Sequence, residues 1–217
     1  MNAAITNTLD ERLAELGGIA IGRIRAVPTP GTSTIDDLIH INHTRPQLCE
    51  MIDHTLVEKA AGFESSVVAV TIGAILSSFA SPRRLGLVSG ADGLFRLLPG
   101  TVRGPHVAFT SIAWLSSRRL LDEVYPAIVP DLAVELFSPG NTKAEMLRKR
   151  IEYFHSGVKL VWIVDCGNRS VAVYTSPCSV IELKETQTID GGEVLPGFTA
   201  LVADFFADLD LYQDPTA

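Results

Sequence analysis

Two carboxylates lie in a segment that otherwise has the pattern of an interior β-strand, DLAVELFS at residues 131–138. Side chains alternate along a strand, so Asp131 and Glu135 share one face, and the apolar residues that alternate with them point the other way, into a core. A mid-strand carboxylate such as Glu135 needs a partner, because burying an unpaired charge is prohibitively costly. A divalent cation or a lysine would be such a partner. Two simpler interpretations stay open: Glu135 lies on a solvated sheet face, and Asp131, which follows Pro130, only begins the strand.

A lysine that could serve this strand comes from the next predicted element, the helix NTKAEMLRKRIEYFHSG at residues 141–157. Thr142 and Glu145 have the spacing of a capping box, and Gly157 is a typical helix stop. On a helical wheel Lys149 lies at the edge of the apolar arc. Its long stem can follow that apolar surface and carry the ammonium over the sheet. A solvated position on a helix face rich in Arg and Lys is the alternative.

Three further groups of side chains could take part in catalysis or binding. Glu64, at the start of an apolar helix, could be another acid near a metal ion, or it could simply favour the positive end of the helix dipole. His40 and His43 have the spacing of metal ligands on a helix, but no third ligand is evident, which favours surface histidines. Phosphate contacts are open to the basic clusters Arg83–Arg84, Arg118–Arg119 and Arg148–Arg150, which can equally be solvated surface.

The overall charge limits the classes of function. The chain of 217 residues has 25 acidic against 18 basic residues and a net charge of -7. A non-specific nucleic-acid binder is normally basic, so any contact with nucleic acid must depend on local basic patches and a metal ion. The sequence contains neither GxGxxG nor GxxxxGKS, and it therefore gives no indication of a dinucleotide site or a P-loop.

The cysteines and the apolar segments predict a cytoplasmic protein without a membrane span. Three cysteines without CxxC spacing argue against a disulfide framework or a zinc site and favour a reducing compartment. The N-terminal residues have early acids and no continuous apolar core, unlike a secretory signal. Residues 65–82 carry no charge and approach the length of a span, but their Ser, Thr and Gly content favours a buried helix.

The pattern of elements predicts a single α/β domain over residues 34–217, preceded by an extension and linker at residues 1–33. A mixed sheet flanked by helices is favoured over a regular βαβ repeat, because hairpins and single strands alternate irregularly with helices. The predicted segments are a helix from residue 35 capped by Thr34, a hairpin at 47–60, a helix at 63–81, a second hairpin at 86–98, strands at 102–111 and 131–138, a helix at 141–157, two strands within 158–177, a loop at 190–197 and a closing helix at 200–209.

The segment PDLAVELFSPGNTKAEMLRKRIEYFHSGVKLVWIVD closely resembles the signature of the Uma family of restriction endonucleases, which belong to the PD-(D/E)XK nuclease superfamily. Further blocks resemble the family in the same order, among them GTSTIDDL, LCEMIDHTLVEKAAGFES, GLVSGADGLFRLLPGTVRGP and DGGEVLPGF. The resemblance implies a restriction-endonuclease-like α/β core with an N-terminal hairpin extension. It also implies hydrolysis of nucleic-acid phosphodiesters with a divalent metal ion, magnesium or manganese. DNA is the expected partner, and a homodimer is left open.

The resemblance also implies roles for particular residues. In the superfamily pattern an Asp after a Pro and a second acid bind the metal, and a lysine orients or activates the attacking water. Glu135 corresponds to the second acid, and Lys149 to the lysine, which in this family is on the helix after the strand. The family usually reads PDVAFVS in the preceding strand, and this sequence reads PHVAFTS, so His106 stands in the place of the first Asp. Asp131 and Glu64 remain as further candidate acids.

A histidine at that position weakens the expected metal site. Magnesium prefers oxygen ligands, whereas softer ions such as manganese tolerate nitrogen better. Three outcomes are open: catalysis is lost, another metal is used, or Asp131 replaces the missing carboxylate. An ideal strand separates Asp131 from Glu135 by about 13 Å, which argues against one shared ion. The sequence thus predicts a metal-dependent nuclease impaired by His106 or, as the alternative, an inactive binding or assembly protein of the same fold.

Overall fold

The structure, a computed structural model, describes residues 9–60, 62–115 and 122–211 of the chain. The helices are α1 (Leu9–Glu15), α2 (Ile35–Thr44), α3 (Phe63–Ala80), α4 (Lys143–Ser156) and α5 (Ala207–Asp210). The strands are β1 (Cys49–Ile52), β2 (Thr55–Glu58), β3 (Gly86–Gly90), β4 (Phe95–Leu98), β5 (Thr101–Arg103), β6 (Val107–Ser111), β7 (Leu132–Phe137), β8 (Leu160–Asp165), β9 (Ser170–Tyr174), β10 (Val180–Lys184), β11 (Thr188–Gly191) and β12 (Leu195–Leu201).

A mixed six-stranded sheet forms the centre of the fold, with the order β10-β9-β8-β7-β6-β3. Strands β7 and β8 are parallel, because α4 connects them as a crossover, and the other neighbours in this sheet are antiparallel. A second sheet has the order β2-β1-β5-β4, and β11 and β12 form a separate hairpin. The predicted α/β class, a mixed sheet with helices against it, is confirmed.

The largest core lies between α3 and one face of the six-stranded sheet. Val68, Ile72 and Leu76 recur every four residues along α3 and are fully buried, as one face of an amphipathic helix should be. They pack in one cluster with buried Trp162 of β8. Helix α3 is also long and apolar enough to cross a membrane by length and composition. In this fold one of its faces is core, whereas Val70 on another face is 68% exposed.

Helix α4 covers the opposite face of the sheet and is positioned by signals at both of its ends. The Thr142 hydroxyl accepts a hydrogen bond from the Glu145 amide at 2.9 Å and caps the first turn. Gly157 ends the helix in a left-handed conformation, with φ of 107°. Both predicted helix boundaries are therefore confirmed. As a result, buried Tyr153 packs in one cluster with Ala133 of β7.

Two predicted strand assignments are wrong, and the difference matters for the site. Residues 86–98 do not form a hairpin, because β3 pairs with β6 in the large sheet and β4 pairs with β5 in the small one. The predicted strand at 102–111 is likewise two strands, β5 and β6, separated at Gly104–Pro105. Proline lacks the amide that a continuous ladder needs, so the chain changes sheets here. The break places His106 directly before β6.

The C-terminal part also differs from its prediction. The predicted loop at 190–197 is part of a hairpin between β11 and β12, and the predicted closing helix is a 3-10 segment, Val202–Phe206, followed by short α5. Phe198 of β12 lies 6.0 Å from the Trp162 ring, centroid to centroid, so this hairpin helps to close the main core. Strand β10 had no counterpart in the prediction, because its residues alternate only weakly between polar and apolar.

The N-terminal hairpin is confirmed, and the segment before it packs onto the domain. Asp53 and His54 both have positive φ, 45° and 58°, as expected for the two-residue turn between β1 and β2. Leu16 and Ile19 are buried in a small cluster that includes Val57 of β2. The described part of the predicted extension is therefore bound to the hairpin.

Candidate active site

His106, Glu135 and Lys149 meet in one cluster. Glu135 lies on β7, and its side chain is 1% exposed. Its Oε1 atom accepts hydrogen bonds from Lys149 Nζ at 2.9 Å and from the Tyr153 hydroxyl at 2.5 Å. Its Oε2 atom lies 2.7 Å from His106 Nδ1. The spacing along α4 thus delivers the lysine and the tyrosine, one turn apart, to the same carboxylate, as expected for i and i+4 positions.

A second buried carboxylate, Glu50 of β1, belongs to the same cluster and was missed in the sequence. Lys149 Nζ lies 3.4 Å from Glu50 Oε1, which also accepts a hydrogen bond from the Gly104 amide at 2.9 Å. Arg103 donates to Glu50 Oε2 at 3.0 Å. The available signal was a glutamate within CEMI, a strand that is buried at every position. A charge there needs partners, as at Glu135.

The ion pairs continue from Glu50 to the surface. Arg103, whose side chain is 1% exposed, binds Glu152 of α4 at 2.6 Å as well as Glu50. Glu152 in turn accepts from Arg148 Nε at 2.6 Å, and Arg148 also binds the exposed Asp53 at 2.5 Å. Acids and bases alternate along this series of ion pairs. Each buried charge therefore has a neighbour of opposite sign, which offsets part of the cost of its burial.

The electrostatics of the cluster keep its charged groups ionised at neutral pH. Burial raises the pKa of Glu135, but the positive charge of Lys149 and the hydrogen bond from His106 outweigh it and hold that pKa well below its usual range. Burial lowers the pKa of Lys149, but Glu135 and Glu50 outweigh it and raise the pKa overall. Burial and the neighbouring Glu135 raise the pKa of Tyr153, which therefore stays a neutral donor.

The carboxylate also determines which nitrogen of His106 carries a proton. Glu135 Oε2 lies 2.7 Å from Nδ1, whereas the Leu136 amide lies 3.3 Å from the same atom. The two contacts require opposite proton states of Nδ1, and the shorter one to an ionised acceptor is the stronger. A proton on Nδ1 leaves Nε2 with the lone pair in the neutral ring. Within residues 9–60, 62–115 and 122–211, Nε2 has no hydrogen-bond partner, and His106 lines a cleft.

This cleft has a volume of about 640 Å³ and lies between α3 and β3. Small residues of α3 form one wall, and the start of β6 and the end of β2 complete it. Among the described residues that line it, the titratable side chains are Lys59, Asp92 and His106. The buried Glu135–Lys149 pair thus lies behind the imidazole, and a ligand in the cleft would contact His106 first.

The side chains of the cluster do not fit a magnesium ion. Magnesium takes near-octahedral oxygen ligands, but both oxygens of Glu135 and both oxygens of Glu50 already accept from protein donors. In the part of the chain that the structure describes, no group of three or more His, Cys, Asp or Glu side chains is arranged to hold a metal ion. The assignment of Glu135, His106 and Glu64 as metal ligands therefore stays a prediction.

Asp131 and Glu64 lie apart from this cluster. The Asp131 carboxylate accepts from the Ser111 amide at 2.9 Å and from Lys159 Nζ at 2.8 Å, so it ties the start of β7 to its neighbours. Burial raises the pKa of Asp131, but these hydrogen bonds outweigh it and lower the pKa overall. Glu64 is exposed in the first turn of α3. Burial raises the pKa of the Cys166 thiol, and the charge of Glu64 adds to this.

The predicted basic clusters are largely committed to protein contacts. Arg83 lies over the Phe79 ring at 4.2 Å, and Arg150 over the Tyr174 ring at 4.2 Å. Arg150 also lines a second groove, of about 490 Å³, between α4 and strands β8 to β10. Arg118–Arg119 lies outside the described residues. His40 and His43 are exposed on α2.

The structure is that of an α/β protein with a mixed sheet and helices against it. The Uma2 family, described as "Putative restriction endonuclease", matches residues 35–206. The chain belongs to this family, and at the level of the family it is a nuclease. The predicted family resemblance is confirmed.

A solved structure with a similar fold is a crystal structure of "a putative nuclease belonging to DUF820" from Anabaena variabilis ATCC 29413. It superposes with a TM-score of 0.68 and 14% sequence identity, over 80% of this chain and 97% of that chain. At this identity the likeness shows the fold. The comparison with curated proteins gave no significant match.

Proposed function

We propose that this chain binds a nucleic-acid phosphodiester in the cleft beside His106 and hydrolyses it much more slowly with magnesium than a form with aspartate at position 106. The observation that carries the proposal is the contact of Glu135 with both His106 and Lys149, at 2.7 and 2.9 Å, directly behind the cleft. The family indicates the class of reaction, phosphodiester hydrolysis. The contacts of Glu135 with His106 and Lys149 give the reason to expect a low rate with magnesium.

Each side chain has a role that follows from its contacts. Glu135 fixes the imidazole of His106 through Nδ1, so Nε2 can accept a proton from a water molecule in the cleft, as a general base does. Lys149 compensates the charge of Glu135 and of Glu50, and Tyr153 holds the carboxylate in place. The same contacts leave Glu135 no oxygen for a cation, which is the physical reason to expect low activity with magnesium.

The test is a cleavage assay on DNA with a panel of magnesium and manganese concentrations. His106→Asp restores an oxygen ligand and a negative charge, so we expect its cleavage rate to exceed that of the wild type by roughly tenfold or more. His106→Asn is the matched control, because it removes the imidazole without adding charge, and we expect no gain. Glu135→Ala in the His106→Asp background should lower the rate to that of the wild type or below it.

A folded His106→Asp protein without any gain in either metal would contradict this proposal. It would favour the second candidate, a binding or assembly protein that has lost catalysis. The specific observation in favour of that candidate is the closed set of hydrogen bonds around Glu135, which holds the carboxylate in an ion pair. Binding of nucleic acid without cleavage, in both proteins and in both metals, is its expected signature.

Three finer points belong to the same proposal. DNA is the proposed nucleic acid, on the strength of the family. A cytoplasmic location is proposed on the cysteine usage, the N-terminal residues and the apolar segments together. A homodimer stays open, and light scattering of the purified chain tests it by the molar mass in solution.

A further inference from the structure

The walls of the His106 cleft carry little positive charge. Lys59 is the one Lys or Arg among the described residues that line it, and Asp92 offsets it at the rim. A protein that holds a duplex typically neutralises several phosphates with Lys and Arg. Proteins that hold long single strands stack the bases on aromatic rings, and the described lining has no aromatic side chain besides His106. The cleft therefore has the side chains to contact only a short part of a nucleic-acid strand.

Lys59, directly after β2, is held in a defined position. Its Nζ atom donates to the backbone oxygens of Ala91 and Gly104, at 3.0 and 2.5 Å. An ammonium has three hydrogen atoms, so one donor remains for a ligand in the cleft. Burial lowers the pKa of Lys59, and Lys149 adds to this, although Glu50 and Glu135 oppose it. An anion next to the ammonium would favour the charged form of Lys59 and offset much of the effect of burial.

A hydroxyl group on β3, in the lining of the same cleft, also lacks a partner. Ser89 lies on β3 and lines the cleft. Its Oγ atom is buried and has no hydrogen-bond partner within the described part of the chain. A buried polar atom without a partner is unfavourable, so a ligand that reaches this oxygen through a small shift of the wall would stabilise it. Ser65 and Ser66 of α3 line the same space.

We infer that the cleft takes a short phosphodiester of dinucleotide size, bound through a single phosphate by Lys59 and through neutral polar groups by the serine-lined walls. The inference rests on the proposed function and names its substrate class. The volume of about 640 Å³ lies within the range of roughly 300–1,000 Å³ that is typical of small-ligand sites. A phosphate at Lys59 also lies in the same cleft as His106, the proposed base.

Binding of a thymidine dinucleotide, measured by calorimetry, tests this inference without any need for cleavage. The matched ligand is the methylphosphonate analogue, which has the same bases and sugars but no charge. We expect the charged dinucleotide to bind roughly tenfold tighter or more than the analogue. We expect its affinity to fall with salt at a slope near that of one phosphate, about 0.7.

Amino-acid substitutions test whether Lys59 is the residue that binds the phosphate. Lys59→Met should abolish the preference for the charged ligand, Lys59→Arg should retain part of it, and Asp92→Asn should strengthen binding several-fold. Lys184→Met is the control, because Lys184 is exposed on β10 outside the cleft, and we expect no change. If Lys59→Met does not fold, two measurements still test the inference: the comparison of the two ligands on the wild type, and the affinity of Asp92→Asn for the charged dinucleotide.

The outcomes separate this inference from the proposed function. Equal affinity for the two dinucleotides, or no binding of either, overturns the inference, and so does an unchanged preference in Lys59→Met. Cleavage of DNA by His106→Asp in that situation leaves the proposed nuclease intact. Tight binding of a DNA duplex with a steep dependence on salt, unaffected by Lys59→Met, also overturns the inference and points to a different surface.

Discussion

Lys149 lies between two carboxylates that belong to different sheets, Glu135 of β7 and Glu50 of β1. Its side chain is 4% exposed, and theirs are 1% exposed. A buried ion pair contributes little net stability relative to an apolar pair, but removal of one partner leaves an uncompensated buried charge. The attraction between Lys149 and the two carboxylates therefore adds little net stability, but the loss of any one of the three side chains is expected to cost much.

Replacement of Lys149 by Met should lower the free energy of unfolding by about 3–5 kcal/mol, because two buried carboxylates lose their common cation. Lys159→Met is the matched control. Lys159 also pairs with a buried carboxylate, that of Asp131, but its own side chain is 67% exposed, so solvent screens the pair and a loss of about 1 kcal/mol or less is expected. Urea unfolding at neutral pH measures both. Equal losses in the two variants would contradict this account.

At the scale of elements, the start of α4 is fastened to the N-terminal segment. Thr142 not only caps the helix but also donates to the Gly17 carbonyl at 2.7 Å. Arg23, in the 3-10 segment Ile21–Arg23, forms a two-pronged pair with the Glu145 carboxylate at 3.0 and 2.9 Å. These contacts set the position of the helix that carries Lys149, although none of them touches the cleft.

The pair between Arg23 and Glu145 predicts a dependence of stability on pH. Burial raises the pKa of Glu145, but the hydrogen bonds from Arg23 outweigh it, and the pKa lies below its ordinary value of 4.5. The stabilisation from a lowered carboxyl pKa is present above the ordinary value and is lost as the pH falls below it. Arg23→Met should therefore cost about 1–3 kcal/mol at neutral pH.

As the pH falls through the lowered pKa of Glu145, the same variant and the wild type should differ less and less, because Glu145 becomes protonated in both. Chemical unfolding of the two proteins over a series of pH values gives the difference directly. A gap that stays constant down to acid pH would mean that packing of the Arg23 stem, and not its charge, is lost.

At the scale of the whole molecule, the N-terminal segment acts as part of the domain. Leu16 and Ile19 are 6% and 3% exposed, and full burial of such a side chain is worth about 1.5–3 kcal/mol. Deletion of residues 1–20, which leaves Arg23 in place, should therefore lower the free energy of unfolding by about 3–6 kcal/mol. Thermal and urea unfolding of the shortened chain check this, and unchanged stability would show that the segment is a dispensable linker.

Local signals predicted most of the elements but not their arrangement. A cap at Thr142, a stop at Gly157 and a two-residue turn at Asp53–His54 act within a few residues, so the sequence shows them directly. Strand pairing is not local, and residues 86–98 were assigned to one hairpin because nothing nearby distinguishes β3 from β4. Which sheet a strand joins is decided by partners such as β6, further along the chain.

The candidate site was predictable to the same extent. His106, Glu135 and Lys149 stood out because their segments resemble a family, and the structure brings the three together. Glu50 did not stand out, because it lies 99 residues from Lys149 in sequence and only the fold places them side by side. Asp131 shared the expected strand face with Glu135, but its carboxylate is taken by Ser111 and Lys159.

The chain passes from the small sheet to the large sheet at Gly104–Pro105. The backbone is closely packed there, and the position of the cluster residues nearby depends on this packing. A methyl group on Gly104 would meet the Ala91 carbonyl oxygen at 3.0 Å and the Leu94 side chain at 3.2 Å. The Gly104 amide and carbonyl also hold Glu50 and Lys59. A side chain at position 104 would therefore push the two sheets apart. It would weaken the hydrogen bonds to Glu50 and Lys59 together, although neither residue has been replaced.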